Sequence, residues 1–180
     1  MNLIVAVDKN WGIGRQDHLL FRISADMKRF RALTLGKTVI LGRRTLQTFP
    51  GGQPLEKRTN IVLTRSASFT ADPAIVCHSL KELSALVCDL DTDDLFVIGG
   101  ATVYRQLLPY CHLAYVTKID GCGDADCTFP DLDIQPGWEL ISSESGHTDH
   151  ARTEDENHPV SLDYSFCLYR QTEPRMISDV

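Results

Sequence analysis

Leu95-Phe96-Val97-Ile98-Gly99-Gly100-Ala101-Thr102-Val103-Tyr104 carries two periodicities in ten residues. Its first four residues are a continuous apolar run, the pattern of a strand buried on both faces. Two glycines close the run. Val103, Tyr104, Leu107 and Leu108 then recur at helical spacing until Pro109 stops the helix. The same succession precedes it. Thr38-Val39-Ile40-Leu41-Gly42 reads as a buried strand that breaks at glycine into Arg43-Arg44-Thr45, which opens a helix. Residues 3–7, 60–64, 74–77 and 112–119 read as further strands, and 24–34 as a helix. Ser79 caps a helix over 80–88 with Leu80, Leu83, Leu86 and Val87 inward. Strands alternating with helices predict an α/β fold with a mostly parallel sheet.

The tail changes character. Residues 138–144 and 164–170 alternate apolar and polar, as half-exposed antiparallel strands do, and predict a terminal hairpin. The polar, acidic piece 147–159 reads as its connection, 49–58 as a loop, and 171–180 as a frayed end after a single domain over 1–170. The segment 10–18, polar with two glycines, is long for a compact domain and reads as a mobile, functional cover.

Composition bounds the function. The chain has 180 residues, 43% apolar and 23% charged, the proportions of an ordinary globular domain. A net charge of −6 argues against nucleic acid or a membrane surface as partner through bulk charge. Met1–Asp8 lacks the basic start of a signal peptide, and no stretch reaches the ~20 apolar residues that span a bilayer, so a cytoplasmic location is expected. Cys77, Cys88, Cys111, Cys122, Cys127 and Cys167 are scattered and read as free thiols. Cys122 and Cys127 share an acidic turn without a histidine, so no metal is expected.

In the helix at 24–34, Ile23, Met27, Phe30 and Leu33 form an apolar stripe that should face a core. Asp26 sits on its edge and should point inward. Such an acid has two readings. After Ser24 as N-cap it complements the helix dipole. Alternatively it is a lone carboxylate facing a ligand with paired N–H donors.

Three strand ends carry anion chemistry, and ligands of open parallel sheets collect at such ends. Gly99-Gly100-Ala101-Thr102 lets backbone N–H groups approach a phosphate, or is only a tight turn. Gly42-Arg43-Arg44-Thr45 adds two guanidiniums, suited to a pyrophosphate or merely solvated. Leu63-Thr64-Arg65-Ser66 offers an arginine and hydroxyls where an NAD site would want an acid, which favours a 2′-phosphate and hence NADP.

Together Ile4-Val5-Ala6, Gly12-Ile13-Gly14, Asp26 with Phe30, Val39–Thr45, Arg58 before Asn60-Ile61-Val62-Leu63, Ile98–Tyr104, Thr117-Lys118-Ile119 and Phe129-Pro130-Asp131 resemble the dihydrofolate reductases, in order and spacing, from residue 2 to about 170. The resemblance implies an eight-stranded, mainly parallel sheet with four helices. It implies an oxidoreductase that reduces 7,8-dihydrofolate with NADPH for one-carbon metabolism and is a target of antifolate inhibitors. Asp26 would hold the pteridine's amino group and ring N–H. Phe30 would stack on the substrate rings, with Val5, Met27, Phe49 and Leu55 also at the substrate. Arg58 would pair with the glutamate tail's α-carboxylate. The carbonyls of Ile4 and Ile98, with Thr117, would meet the pterin's far edge. Ala6, Ile13, Gly14, Leu19, Thr45 and Tyr104 would hold the nicotinamide ribose end. Gly42, Arg43, Arg44, Leu63, Thr64, Arg65, Ser66, His78, Gly99, Gly100, Ala101, Thr102 and Val103 would take the rest of the cofactor, with a cis Gly99-Gly100 bond. A monomer is expected.

The chain departs from the family pattern at several points. Leu20-Phe21 replaces the usual Pro-Trp and removes an indole donor, Leu46 replaces a tryptophan, and Phe49-Pro50-Gly51-Gly52 carries an extra residue. Asp126 matches the acid that steadies a closed loop in some members, or is a plain exposed turn acid. Two other functions fit parts of the pattern. One is a pyrimidinone reductase of riboflavin synthesis on the same fold, which has no need of Asp26 with Arg58. The other is a non-catalytic pterin- or nucleotide-binding module.

Overall fold

The computed structural model describes residues 1–153 and 158–180. In chain order the elements are β1 (Asn2–Val7), β2 (Gly12–Gly14), α1 (Ser24–Thr34), β3 (Thr38–Gly42), α2 (Arg43–Gln47), β4 (Thr59–Leu63), β5 (Ile75–Cys77), α3 (Leu80–Val87), β6 (Leu95–Gly99), α4 (Ala101–Leu107), β7 (Leu113–Ile119), β8 (Cys127–Thr128), β9 (Trp138–Ala151) and β10 (Val160–Gln171). Eight strands form one sheet in the order β5-β4-β3-β6-β1-β7-β10-β9, and β2 pairs with β8 apart from it. From β5 to β1 the neighbours are parallel, while β7, β10 and β9 alternate in direction. This is the mostly parallel sheet with an antiparallel terminal hairpin that the alternation of periods predicts. No helix among the described residues is long and apolar enough to cross a membrane.

The contacts define two compact units. Their boundaries fall inside β1, at the end of α1, at the start of β7 and just after β10, so no linker composition marks them in the sequence. The first unit comprises Met1–Leu3, Thr34–His112 and Glu173–Val180. Its strands are nearly uniform apolar runs because both faces are covered: Val39, Ile40, Leu41, Val62 and Val97 are inaccessible to solvent. In α3 the Ser79 hydroxyl accepts from Glu82 N at 3.1 Å and the Glu82 carboxylate accepts from His78 N at 2.7 Å. Leu83 and Val87, four residues apart, define the buried face, and Leu86, expected inward, lies on its flank exposed. The end of the chain is held, not frayed: Arg175 N donates to the Pro109 carbonyl at 2.9 Å, and residues 177–179 form a short turn beside α3.

The second unit comprises Ile4–Leu33 and Leu113–Thr172. Here β9 and β10 run well beyond the expected 138–144 and 164–170. Part of the expected connection, 147–151, is strand, and residues 154–157 of it lie outside the described residues. Its polar side chains satisfy one another across an exposed edge, so polarity does not end the strand. His147 bonds Asp163 through Nδ1 at 2.5 Å and Asp149 through Nε2 at 3.1 Å, and Ser161 Oγ donates to Asp149 at 2.9 Å.

The two carboxylates hold His147 protonated to higher pH than a free imidazole. A raised histidine stabilises fully below its unfolded value and loses that contribution as pH climbs through the folded one. Amide protection factors along β9 and β10 are therefore expected to fall as pH rises above the ~6.5 of a free imidazole, and to stay level in His147→Gln.

Candidate active site

Helix α1 begins one residue earlier than Ser24 as N-cap would have it. The Ile23 carbonyl accepts from Met27 N at 3.1 Å, so Ile23 is the cap and Ser24 the first helical residue. Ile23 packs against Phe21, Ile119 and Ala151. The expected buried stripe ends there, for Met27 is 48% exposed and Phe30 and Leu33 are only half-buried. Asp26 lies beside this open apolar face. Its Oδ1 accepts from the hydroxyl of Thr117, a fully buried residue of β7, at 2.6 Å. Burial pushes the Asp26 carboxyl above the ordinary carboxylate value, and the Thr117 bond and the nearby Arg29 charge offset this only in part.

Ile4 and Val5 are buried on β1, while Ala6, Ile13 and Leu19 line one small cavity with Phe21 and Ile119. The segment 10–18 is built, not irregular. Gly12 and Gly14 pair with Thr128 and Cys127, and beyond them Arg15 and His18 bond each other through both backbones at 3.0 and 2.8 Å. The residues between, Gln16 and Asp17, have φ of 48° and 67°, the mirror-image hairpin turn usually made by Asn-Gly. Asp126 Oδ2 accepts from Gln16 N at 2.7 Å, so this exposed acid does hold the turn. At the base, buried Asp8 accepts from Asn10 N, Gly12 N and Gly123 N at 2.8, 2.7 and 2.9 Å. Phe21, where the family pattern has tryptophan, sits in the apolar cluster with Ile23.

In the first unit, strand register gathers the three expected anion sites. Leu41 pairs with Gly99, Gly42 with Leu63, and Leu63 with Cys77, so the carboxyl ends of β3, β4, β5 and β6 stand in a row. His78 is thereby set beside Thr64, and its Nδ1 donates to the Thr64 carbonyl at 3.1 Å. Thr64 Oγ1 accepts from Ser66 N at 3.2 Å, with Arg65 exposed between them. A Cβ at Gly100 would lie 3.1 Å from Thr45 Oγ1, and one at Gly42 would lie 3.2 Å from Val103. Glycine at both positions lets the N-terminal turns of α2 and α4 approach and leaves a backbone cradle. Such a cradle, with Arg43, Arg44 and Arg65 at hand, fits a phosphorylated dinucleotide. The Gly99-Gly100 bond is cis, Ile98 has no counterpart on β3, and Tyr104 is buried behind Gly99. Phe49 and Leu55 are half-buried, and Arg58 Nε donates to Thr34 Oγ1 at 2.9 Å.

The sequence pattern gives no role to Asp8, nor to Asn60 beyond its place at the head of the 60–63 run. The buried Asn60 side chain accepts from Leu55 N and donates to the Leu55 and Arg58 carbonyls at 2.9, 2.9 and 3.1 Å, fixing the loop that carries both residues. A polar residue opening an apolar strand run was its one signal.

A family model described as dihydrofolate reductase matches residues 1–168. Dihydrofolate reductases of Bacillus subtilis and Staphylococcus haemolyticus are 35% and 34% identical over 171 residues, covering 95% of this chain and 94% and 95% of theirs. A solved dihydrofolate reductase from Enterococcus faecalis, complexed with NADP(H) and RAB-propyl, aligns with TM-score 0.77 at 28% identity and covers 94% of this chain and 95% of that one.

A carboxyl raised on folding stabilises fully below its unfolded value and loses that contribution as pH rises through the folded one. Asp26→Asn, which keeps an acceptor for Thr117, is therefore expected to melt about 2 °C or more above the unaltered chain at ~pH 8 and to lose that advantage at ~pH 4. Thermal melts at both values check this.

Proposed function

The chain belongs to the dihydrofolate reductase family and reduces 7,8-dihydrofolate to 5,6,7,8-tetrahydrofolate with NADPH as hydride donor; we propose that Asp26 is the residue that makes the pterin reactive. The observation that carries this is its half-buried carboxylate, bonded to Thr117 beside an open apolar helix face. The reaction consumes one hydride and one proton, the hydride going to the imine carbon and the proton to the adjacent nitrogen. An ionised Asp26 accepts from the pterin's amino group and ring N–H as a bidentate pair, and Thr117 fixes the rotation of that carboxylate. The charge held there polarises the ring toward the protonated imine, while a water admitted past segment 10–18 delivers the proton.

Within the second unit, Ile4, Val5, Met27 and Phe30 would take the pterin and its benzoyl ring, and Ala6, Ile13, Gly14 and Leu19 the nicotinamide end. Within the first, Arg58 would pair with the substrate's α-carboxylate, with Phe49, Leu55 and Ile98 also at the substrate. NADPH supplies the hydride when bound. The residues that would hold it are the backbone at Gly42, Gly99, Gly100, Ala101 and Thr102, with Leu63, Val103, Tyr104, Arg43, Arg44 and Thr45, and for the 2′-phosphate Thr64, Arg65, Ser66 and His78. The proposal includes a cytoplasmic monomer. The carboxylate that grips the pterin also suits the amino-pyrimidine edge of antifolate inhibitors.

Asp26→Asn is expected to bind NADPH as before and to lose at least about a hundredfold in turnover at neutral pH, read as NADPH oxidation on adding dihydrofolate. Normal turnover would remove Asp26 from this role. Arg65→Ala is expected to raise KM for NADPH roughly tenfold or more with little change for NADH, since it removes a charged partner of the phosphate alone. Equal losses for the two cofactors would overturn the 2′-phosphate assignment.

A further inference from the structure

Arg29 is the one cation of α1 that is not held in solvent. Lys28 and Arg31 are exposed, whereas Arg29 is half-buried one turn beyond Asp26. Its guanidinium carbon lies 4.4 Å from the ring centre of Phe166 on β10 and 5.7 Å from that of Tyr115 on β7. Nη1 is buried with no hydrogen-bond partner among the described residues. A guanidinium stacked on rings is held in place without a counter-ion spending its charge, because the ring faces attract it without neutralising it. Its field therefore reaches the acid three residues back on the same helix.

We propose that Arg29 is a positioning residue for the hydride transfer: wedged against Phe166 and Tyr115, it biases the Asp26 carboxyl toward the ionised form that grips the pterin. The inference rests on the reading of Asp26 given above. The groups facing Asp26 are Thr117 of β7, by hydrogen bond, and Arg29 of its own helix, by charge. Arg29 is faced in turn by Tyr115 of β7, Cys167 of β10, exposed Glu144 of β9, and Asp26. Two demands on Asp26 conflict. Burial favours its protonated form, while a bidentate grip on N–H donors needs the anion. A fixed cation at one turn's distance keeps the anion accessible without touching substrate.

The test follows the Asp26 carboxyl directly, by carbon NMR of the full chain labelled at aspartate and saturated with NADP⁺, with Asp26→Asn identifying the resonance. Arg29→Gln should move the Asp26 midpoint to higher pH, and Arg29→Lys should return it close to the unaltered chain. Arg29→Met, whose stem still covers the rings, serves as a second neutral variant should the glutamine chain not fold. In single-turnover measurements near the original midpoint, the neutral variants should transfer hydride roughly threefold more slowly or worse, because a smaller share of Asp26 is ionised. An unmoved midpoint in the neutral variants overturns the inference. So does a lysine variant displaced as far as the glutamine one, which would make the effect one of packing. If Asp26→Asn turned over normally, the reading of Asp26 would fall instead, and the resonance would still report what Arg29 does to the carboxyl.

Discussion

A carboxylate withdrawn from water must be given donors, and the second unit shows this constraint met in three degrees. Asp8 receives three backbone N–H groups and is spent entirely on architecture. Asp126 stays in solvent, with its carboxyl held below the ordinary range by the Gln16 N–H, and ties down a turn. Asp26 receives one hydroxyl from Thr117, and its burial is not fully offset. Incomplete satisfaction leaves an acid with capacity that a ligand's donors fit, which a fully bonded structural acid lacks.

In the first unit the governing constraint is register. Parallel pairing of β3 with β4 and β6, and of β4 with β5, brings four strand ends level. Loops far apart in sequence become one surface of backbone N–H groups, hydroxyls and guanidiniums. No single glycine pair or arginine pair would suffice; their alignment is what suits an anion. Asn60 does for the 55–58 loop what Asp8 does for the base of 10–18, using a buried side chain to replace backbone partners that a loop lacks.

Much of the fold was legible because buried parallel strands have a plain signature, and Val39–Leu41 and Leu95–Ile98 show it without interruption. The ends of β9 and β10 were not legible, because the polarity of His147, Asp149, Ser161 and Asp163 suggests a loop until their mutual pairing is seen. The stripe of α1 promised burial. Met27 shows the limit of periodicity, which tells that a face is apolar and not what covers it. The strand-end groups were legible through residue type. Arg29 was invisible, since an arginine in a charged run reads as solvated and only its two rings say otherwise.

The turn at Gln16-Asp17 has a consequence for timing. Two side-chain-bearing residues in left-handed backbone cost of order 1 kcal/mol each, and the Asp126 bond and the paired Arg15 and His18 backbones work against that cost. At the tip strain opposes those bonds, whereas Asp8 at the base is buried and accepts three. The tip is therefore where a molecule arriving at the neighbouring pocket moves the chain with least effort, so arrival and departure can set the tempo of a catalytic cycle while the base stays anchored at Asp8.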